Sequence, residues 1–232
     1  LLIDPDDDEA VRAKVLEAGL SNHVELFLVG GSLITEGHTE QCVTDLKSGG
    51  ARKVVLFPGN EIQLSKHADA ILFMSLISGR NPEYLIGKQV VAAPAVRRMG
   101  IEAIPTGYML VDGGKITSAH YISHTLPIPH DKPDIAMATA VAGELLGLEL
   151  FYLDAGSGAE KPVSAKMISA VAESTHGVVV TGGGIKTASE AEKAWEAGAD
   201  VVVIGNGAVA NHEIIQEMAR VLQKINTPAS AV

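Results

Sequence analysis

The chain has 232 residues, 47% of them hydrophobic but only 4% aromatic, and a formal net charge of −10. That length fits one α/β domain over residues 1–232 better than two small ones, and an aliphatic core suits parallel strands covered by helices. The acidic balance argues against nucleic-acid binding, no apolar run is long enough for a transmembrane segment, and the single cysteine, Cys42, excludes an internal disulfide framework and fits a reducing cytoplasm.

Short β-branched runs alternate with helical patterns along the chain. Residues 1–3 read as a strand already under way, with residues expected before it and no secretory leader. A helix over 9–18, a strand over 25–29 and a helix over 36–47 follow. The third strand, 53–57, is followed by only a short stretch, 61–68, before the fourth at 70–74. A helix near 82–88 and a strand near 102–105 come next. Residues 108–129 then read as a hairpin-like excursion with a turn at Gly113-Gly114, ending in the stiff Pro127-Ile128-Pro129. The pattern resumes with a helix at 133–146 and a strand at 150–153. Then come a helix at 163–173, a strand at 178–181, a helix at 188–196, a strand at 201–204 and a last helix at 212–224. Eight strands alternating with helices predict a closed (β/α)₈ TIM barrel in which the third helix is shortened or missing.

Active sites in such barrels lie at the C-terminal ends of the strands. The seventh strand ends in Gly182-Gly183-Gly184 and the eighth in Gly205-Asn206-Gly207. Glycines allow close backbone approach, and the following helix starts offer free N–H donors, so the two turns together predict a phosphate cup. The sixth strand ends Tyr152-Leu153-Asp154-Ala155-Gly156-Ser157-Gly158, and strand alternation puts Tyr152 and Asp154 on one side and Leu153 on the other. A carboxylate inside a barrel mouth is costly unless paired or working, so Asp154 is a candidate proton acceptor or hydroxyl anchor. Asp4, directly after the first strand, suits magnesium with a substrate diphosphate, whereas Asp6–Asp8 read as a solvated helix start. Ser32, after the second strand, stands ready to assist a metal or phosphate. The Phe57–Asn60 stretch reads as a turn, Arg97-Arg98 as a solvated helix end, and His120, His124 and His130 as surface residues. Cys42 reads as a core or boundary thiol of an amphipathic helix. Sugar-phosphate isomerases and thiamin-phosphate-type synthases would use a similar cup with a different acid–base pair.

A run of motifs then matches a known family in order along essentially the whole chain. They are Leu-Ile-Asp-Pro-Asp at 2–6, Val-Gly-Gly-Ser at 29–32, Leu-Phe-Pro-Gly-Asn at 56–60 and Ser-Gly-Arg-Asn-Pro at 78–82. Further along come Gly-Tyr at 107–108, Tyr-Leu-Asp-Ala-Gly-Ser-Gly-Ala at 152–159, Thr-Gly-Gly-Gly-Ile at 181–185 and Gly-Asn at 205–206. The chain resembles the geranylgeranylglyceryl phosphate synthases, prenyltransferase barrels related to the bacterial PcrB heptaprenylglyceryl phosphate synthases, and within them the second of two sequence groups. The resemblance implies transfer of a polyprenyl group from geranylgeranyl diphosphate to the 3-hydroxyl of sn-glycerol 1-phosphate, releasing diphosphate, the first committed step of ether phospholipid synthesis. It implies that Asp4 and Ser32 hold Mg²⁺ and that Asp154 and Tyr152 are catalytic. Glycerol 1-phosphate would be held by Tyr152, Leu153, Asp154, Ala155, Gly156, Ser157, Gly158, Gly183, Gly184, Gly205 and Asn206. The family often has Glu where Asp154 stands, so the acid here is one methylene shorter. The resemblance further implies a cytoplasmic homo-oligomer, dimeric or hexameric, that makes transient contact with a membrane surface. The absent third helix is expected to leave a groove on the barrel flank for the polyprenyl tail.

Overall fold

The computed structural model describes residues 1–226. Eight strands form one parallel sheet in sequential order: β1 (Leu2–Ile3), β2 (Leu26–Val29), β3 (Lys53–Leu56), β4 (Ala70–Leu76), β5 (Glu102–Leu110), β6 (Leu150–Asp154), β7 (Val178–Gly182) and β8 (Val201–Val203). The ring closes where the Leu2 N–H donates to the Ile204 carbonyl at 2.8 Å. Closure removes the free edges that an open sheet would expose. The helices are α1 (Glu9–Ser21), α2 (Thr39–Ser48), α3 (Lys88–Met99), α4 (Ser118–Ser123), α5 (Pro133–Leu145), α6 (Ala165–Ala172), α7 (Ala188–Glu196), α8 (Asn206–Ala210) and α9 (Glu213–Asn226). None is long and apolar enough to cross a membrane, among the described residues.

The alternation of side chains divides the core into an interior and an outer layer. Leu28, Val55, Leu72, Leu150, Tyr152 and Val180 fill the barrel interior, whereas Phe151 and Leu153 point out among Ala136, Ala140, Met167 and Ile168 of the covering helices. A second outer layer gathers Phe27, Val43, Leu46, Ile214 and Ile215 around the other half of the ring. Helix starts follow local chemistry. The Ser164 side chain accepts the Met167 N–H, and Thr187 with Glu190 forms a reciprocal capping box at α7.

Between β3 and β4 there is no helix, as the short 61–68 stretch predicts. Gln63, 3% exposed, holds the segment instead: its Oε1 accepts the Gly59 N–H at 3.0 Å and its Nε2 donates to the Gly31 carbonyl at 3.0 Å. At the other end of the barrel Asp69 accepts the Val54 N–H at 2.7 Å and the Lys47 ammonium at 3.0 Å. These contacts satisfy buried backbone groups that a crossover helix would otherwise cover.

Three sequence expectations need correction. The helix read near 82–88 is a π-helical turn, Glu83–Gly87, leading into α3, which runs on to Met99 through Pro94. A proline inside a helix removes one N–H and argues against it locally, but burial of Ala92 and Val96 against the barrel overrides that. Strand β5 continues to Leu110 rather than stopping near Pro105, so Tyr108 is a strand residue paired with Tyr152. The 108–129 hairpin does not form. Val111 bridges Ile128 in parallel and α4 stands between them, while Gly113-Gly114 turns under the Asp112 carboxylate, which accepts the Gly114 N–H at 2.9 Å.

Candidate active site

The C-terminal mouth of the barrel is a hollow of about 1170 Å³, partly open to solvent. Its floor is aromatic. Phe57 stacks on Tyr152 with ring centroids 5.1 Å apart and an interplanar angle of 16°, and Tyr108 meets both edge-on at 5.7 Å. Tyr152 and Asp154 point into the mouth as alternation requires, and Leu110 pairs with Asp154 in the register.

Asp154 is 7% exposed. Its Oδ2 accepts the Tyr108 hydroxyl at 2.5 Å and its Oδ1 accepts the Gly156 N–H at 2.6 Å. Burial pushes its pKa up, against the pull of these two donors, because a carboxylate away from water is costly to charge. The result is a carboxyl fixed in aim and readier than a surface Asp to take a proton. Burial raises the Tyr152 and Tyr108 phenols well above their ordinary value, so both stay protonated. Tyr152 thereby stays a neutral phenol in the floor rather than a base.

The adjoining rim carries the glycine turns. Gly183 and Gly184 adopt left-handed backbones at φ +79° and +72°. A Cβ on Gly183 would lie 2.5 Å from the Gly156 nitrogen and 2.6 Å from Asp154 Oδ1, so only glycine lets the two turns touch. Gly205 and Asn206 open α8 and line the mouth together with Gly207, and Ser157 Oγ joins the two sides by donating to Asn206 Oδ1 at 3.2 Å. Of the residues expected to hold glycerol phosphate, Tyr152, Asp154, Ser157, Gly158, Gly183, Gly184, Gly205 and Asn206 line this hollow. Leu153 and Ala155 do not bring their side chains there: both are packed in the outer core. Gly156 lies beneath the rim, where it holds Asp154.

Asp4 and Ser32 line the same mouth, and Asp7 and Lys186 join them. Burial raises the Asp4 pKa against the pull of the Asp6 N–H, which donates to its Oδ1 at 3.0 Å, and the Asp7 and Asp6 charges add to the rise. A half-buried carboxylate among other acids gains from a cation, and an oxygen-only donor set suits a hard one such as magnesium. The residues present therefore fit that ion. Asp6 is exposed ahead of α1, as its sequence suggests, but its carboxylate binds the 35–37 loop rather than the helix start. It accepts the Thr35 N–H at 2.8 Å, the Gly37 N–H at 2.6 Å, the Glu36 N–H at 3.1 Å and the Thr35 hydroxyl at 2.9 Å. These bonds, the Thr35 N–H foremost, lower its pKa from 3.8 to about 2. With the folded value below the unfolded one, its contribution to stability is present above pH 3.8 and is lost as pH falls through about 2. Asp6→Ala is expected to cost on the order of 1 kcal/mol, as loss of a helix cap does, and thermal melts should show the deficit shrinking as the medium is acidified below pH 3.8.

A second hollow, about 850 Å³ and mostly apolar, opens on the flank where the third helix is absent. Leu64, Phe73, Met74, Ala92 and Ile122 are among its walls, and it shares Gly31, Ser32, Phe57, Tyr108 and Ala119 with the mouth. Phe57–Asn60 is therefore more than a turn, since it forms wall to this groove. Sequence reasoning missed Tyr108 as a site residue because the Pro105-Thr106-Gly107 run reads as a strand end. His120 also needs correction, being buried at 6% exposure rather than on the surface. Arg97 and Arg98 are exposed in the last turn of α3, and Cys42 is buried in α2, as expected.

A buried acid at the end of the sixth strand, beside glycine turns after the seventh and eighth, defines a phosphate-binding (β/α)₈ barrel enzyme. The PcrB family model matches residues 1–225. The chain belongs to the PcrB family. It is 46% identical over 227 residues to the geranylgeranylglyceryl phosphate synthase of Spirosoma linguale, covering 97% of this chain and 91% of that one. With the synthase of Chitinophaga pinensis it shares 48% over 220 residues, 94% and 87% of the two chains. Among solved structures it is similar to the synthase of Thermoplasma acidophilum in complex with sn-glycerol-1-phosphate, at TM-score 0.90 and 30% identity over 96% of this chain and 92% of that one. Thiamine phosphate pyrophosphorylase from Pyrococcus furiosus, at TM-score 0.58 and 11% identity over 97% and 96%, shares the fold alone.

Proposed function

We propose that the protein is a prenyltransferase that joins the 3-hydroxyl of sn-glycerol 1-phosphate to the first carbon of geranylgeranyl diphosphate, beginning ether phospholipid synthesis. The observation that carries this reading is the junction of two unlike hollows: a polar mouth with a buried acid runs into an apolar groove at Phe57 and Tyr108. A small phosphorylated alcohol suits the first and a polyprenyl tail suits the second, and the reacting atoms would meet where they join. The names and bound ligand of the family relatives support the same assignment.

In this reading the N–H groups around Gly184 and Gly205-Asn206 hold the phosphate of glycerol phosphate. Asp154 accepts the hydroxyl proton as the new C–O bond forms and the carbon–diphosphate bond breaks. Tyr108 and the Gly156 N–H keep that carboxylate aimed while its charge changes. The aromatic floor of Phe57, Tyr108 and Tyr152 excludes water and presents ring faces that favour positive charge developing at the allylic carbon. Asp4 and Ser32 are the residues that would hold magnesium, whose chemistry is to neutralise the departing diphosphate. We further propose a cytoplasmic homo-oligomer of two or six chains in transient contact with a membrane surface, a reading supported by the lone buried Cys42 and by exposed apolar side chains such as Val90 and Val91 beside the groove.

The test is incubation of radiolabelled sn-glycerol 1-phosphate with geranylgeranyl diphosphate and magnesium. Label moving into the organic phase is the expected result; none with this donor or with longer ones overturns the assignment. A narrower measurement addresses the groove. Ala92→Phe adds a ring to its wall, a change that typically costs 1–3 kcal/mol where space is already used. For geranylgeranyl diphosphate kcat/KM should fall about tenfold or more, while a two-isoprene donor should lose much less. Equal losses for both donors would place the tail elsewhere.

A further inference from the structure

The segment between β5 and α5 carries a buried histidine for which the reaction above has no use. His120 is 6% exposed. Its Nδ1 accepts the Thr117 backbone N–H at 3.0 Å and lies 2.7 Å from the Thr117 hydroxyl oxygen. A ring nitrogen that accepts a backbone N–H carries no hydrogen, so the neutral imidazole holds its proton on Nε2. Burial lowers the His120 pKa, which favours that neutral form. Nε2 is itself buried with no hydrogen-bond partner among the described residues. A buried donor without an acceptor costs free energy, so helix capping alone would be served more cheaply by Gln or Glu at this position.

What the histidine holds leads straight to the acid. Thr117 packs on Gly156 so closely that a Cβ there would meet Thr117 Oγ1 at 2.4 Å and Cγ2 at 2.7 Å. The Gly156 N–H donates to Asp154 Oδ1 at 2.6 Å. The same segment is tied to the sixth-strand turn elsewhere: the Val111 N–H donates to the Asp154 carbonyl at 2.9 Å, and the Gly113 carbonyl accepts from Glu160 and Lys161 at 2.9 and 3.0 Å. The contacts thus run His120 to Thr117 to Gly156 to Asp154.

We propose that His120 is a positioning residue for ether-bond formation: its Nδ1 fixes Thr117 against Gly156 and so aims the Asp154 carboxylate at the substrate hydroxyl. The proposal rests on the reading of Asp154 as proton acceptor. Two variants separate this role from helix capping in general. His120→Asn puts a carbonyl oxygen where Nδ1 stood and keeps the acceptor, whereas His120→Ala removes it. In His120→Ala, kcat should fall about 10–100-fold, as for other small misplacements of a reacting group, with KM for geranylgeranyl diphosphate within about twofold of wild type. The Asp154 carboxyl, followed by ¹³C NMR, should titrate at higher pH than in the wild-type protein as the Gly156 N–H slackens. His120→Asn should restore both the rate and the titration.

The proposal is overturned if a folded His120→Ala keeps the wild-type rate and Asp154 titration, or if His120→Asn is as impaired as the alanine variant. Should His120→Ala fail to fold, Thr117→Val reads the same link, since it keeps the packing on Gly156 and removes the hydroxyl beside Nδ1. If the wild-type protein forms no ether product, the carboxyl titration still reports the link, so that outcome counts against the assigned reaction and not against the role of His120.

Discussion

Asp154→Asn is expected to lower kcat by about 10²–10⁴-fold, the range typical of losing a general base, while sn-glycerol 1-phosphate still binds. The amide keeps the shape of the acid, and its oxygen can still accept the Gly156 N–H. It cannot take up a proton. Binding should survive because the phosphate contacts are backbone N–H groups of the glycine turns, which the change from acid to amide leaves in place. Isothermal titration with glycerol phosphate and single-turnover rates on the same preparation separate the two effects; a variant that retains a third or more of the rate would remove Asp154 from the reaction. The pH dependence carries a second signature. The folded pKa of Asp154 is raised above its unfolded value of 3.8, chiefly by burial. Its contribution to stability is therefore fully present below pH 3.8 and is lost as pH rises through the folded value. The variant escapes that loss, so its melting temperature relative to wild type should climb between acid and neutral pH. The acid limb of kcat/KM in the wild-type enzyme should likewise lie above the ordinary Asp range.

Gly183→Ala is expected to damage both binding and turnover, by a different route. The new methyl would lie 2.5 Å from the Gly156 nitrogen, a backbone atom that cannot swing aside, and the residue would have to hold φ +79°. The left-handed backbone alone costs about 1–2 kcal/mol for an L-residue, and relief of the clash must push Gly156 and Asp154 away from each other. Glycerol phosphate binding and turnover should both fall, each by about tenfold or more. Gly100→Ala is the control. Gly100 has a similar φ of +70° with nothing within 4 Å of the added carbon. It should share the backbone cost, visible as a few degrees of melting temperature, and leave turnover unchanged. If both variants behave alike, backbone strain and not the contact between the two turns is responsible.

The parts of the site that could be read in the sequence are those built by short-range rules. Strand alternation put Tyr152 and Asp154 on one face, and tandem glycine turns marked the cup, because both effects act within a few residues. The short interval between the third and fourth strands revealed the missing helix by length alone. The parts that stayed hidden depend on partners far along the chain. Asp6 reads as a helix-start acid, and only the fold brings residues 35–37 to it. Tyr108 sits past a proline that looks like a strand end, and its meaning comes from Asp154, 46 residues later. His120 reads as polar and therefore exposed, yet burial against the sixth-strand turn is set by the 108–129 excursion as a whole.

The closing hydrogen bond between Leu2 and Ile204 has a bearing on how the enzyme assembles. Strand β1 is two residues long, and it brings Asp4 beside a rim made by Gly205 and Asn206 from the far end of the chain. This seam is the keystone of the arch: no fragment ending before β8 can carry a complete mouth, however well its own strands pair. A ligand gripping both sides of the seam would act as a clasp on the final stage of folding. At a hundredfold excess over its dissociation constant it would add about 2.7 kcal/mol to the closed ring. The substrates would then be partners in keeping the barrel shut as well as the material it consumes.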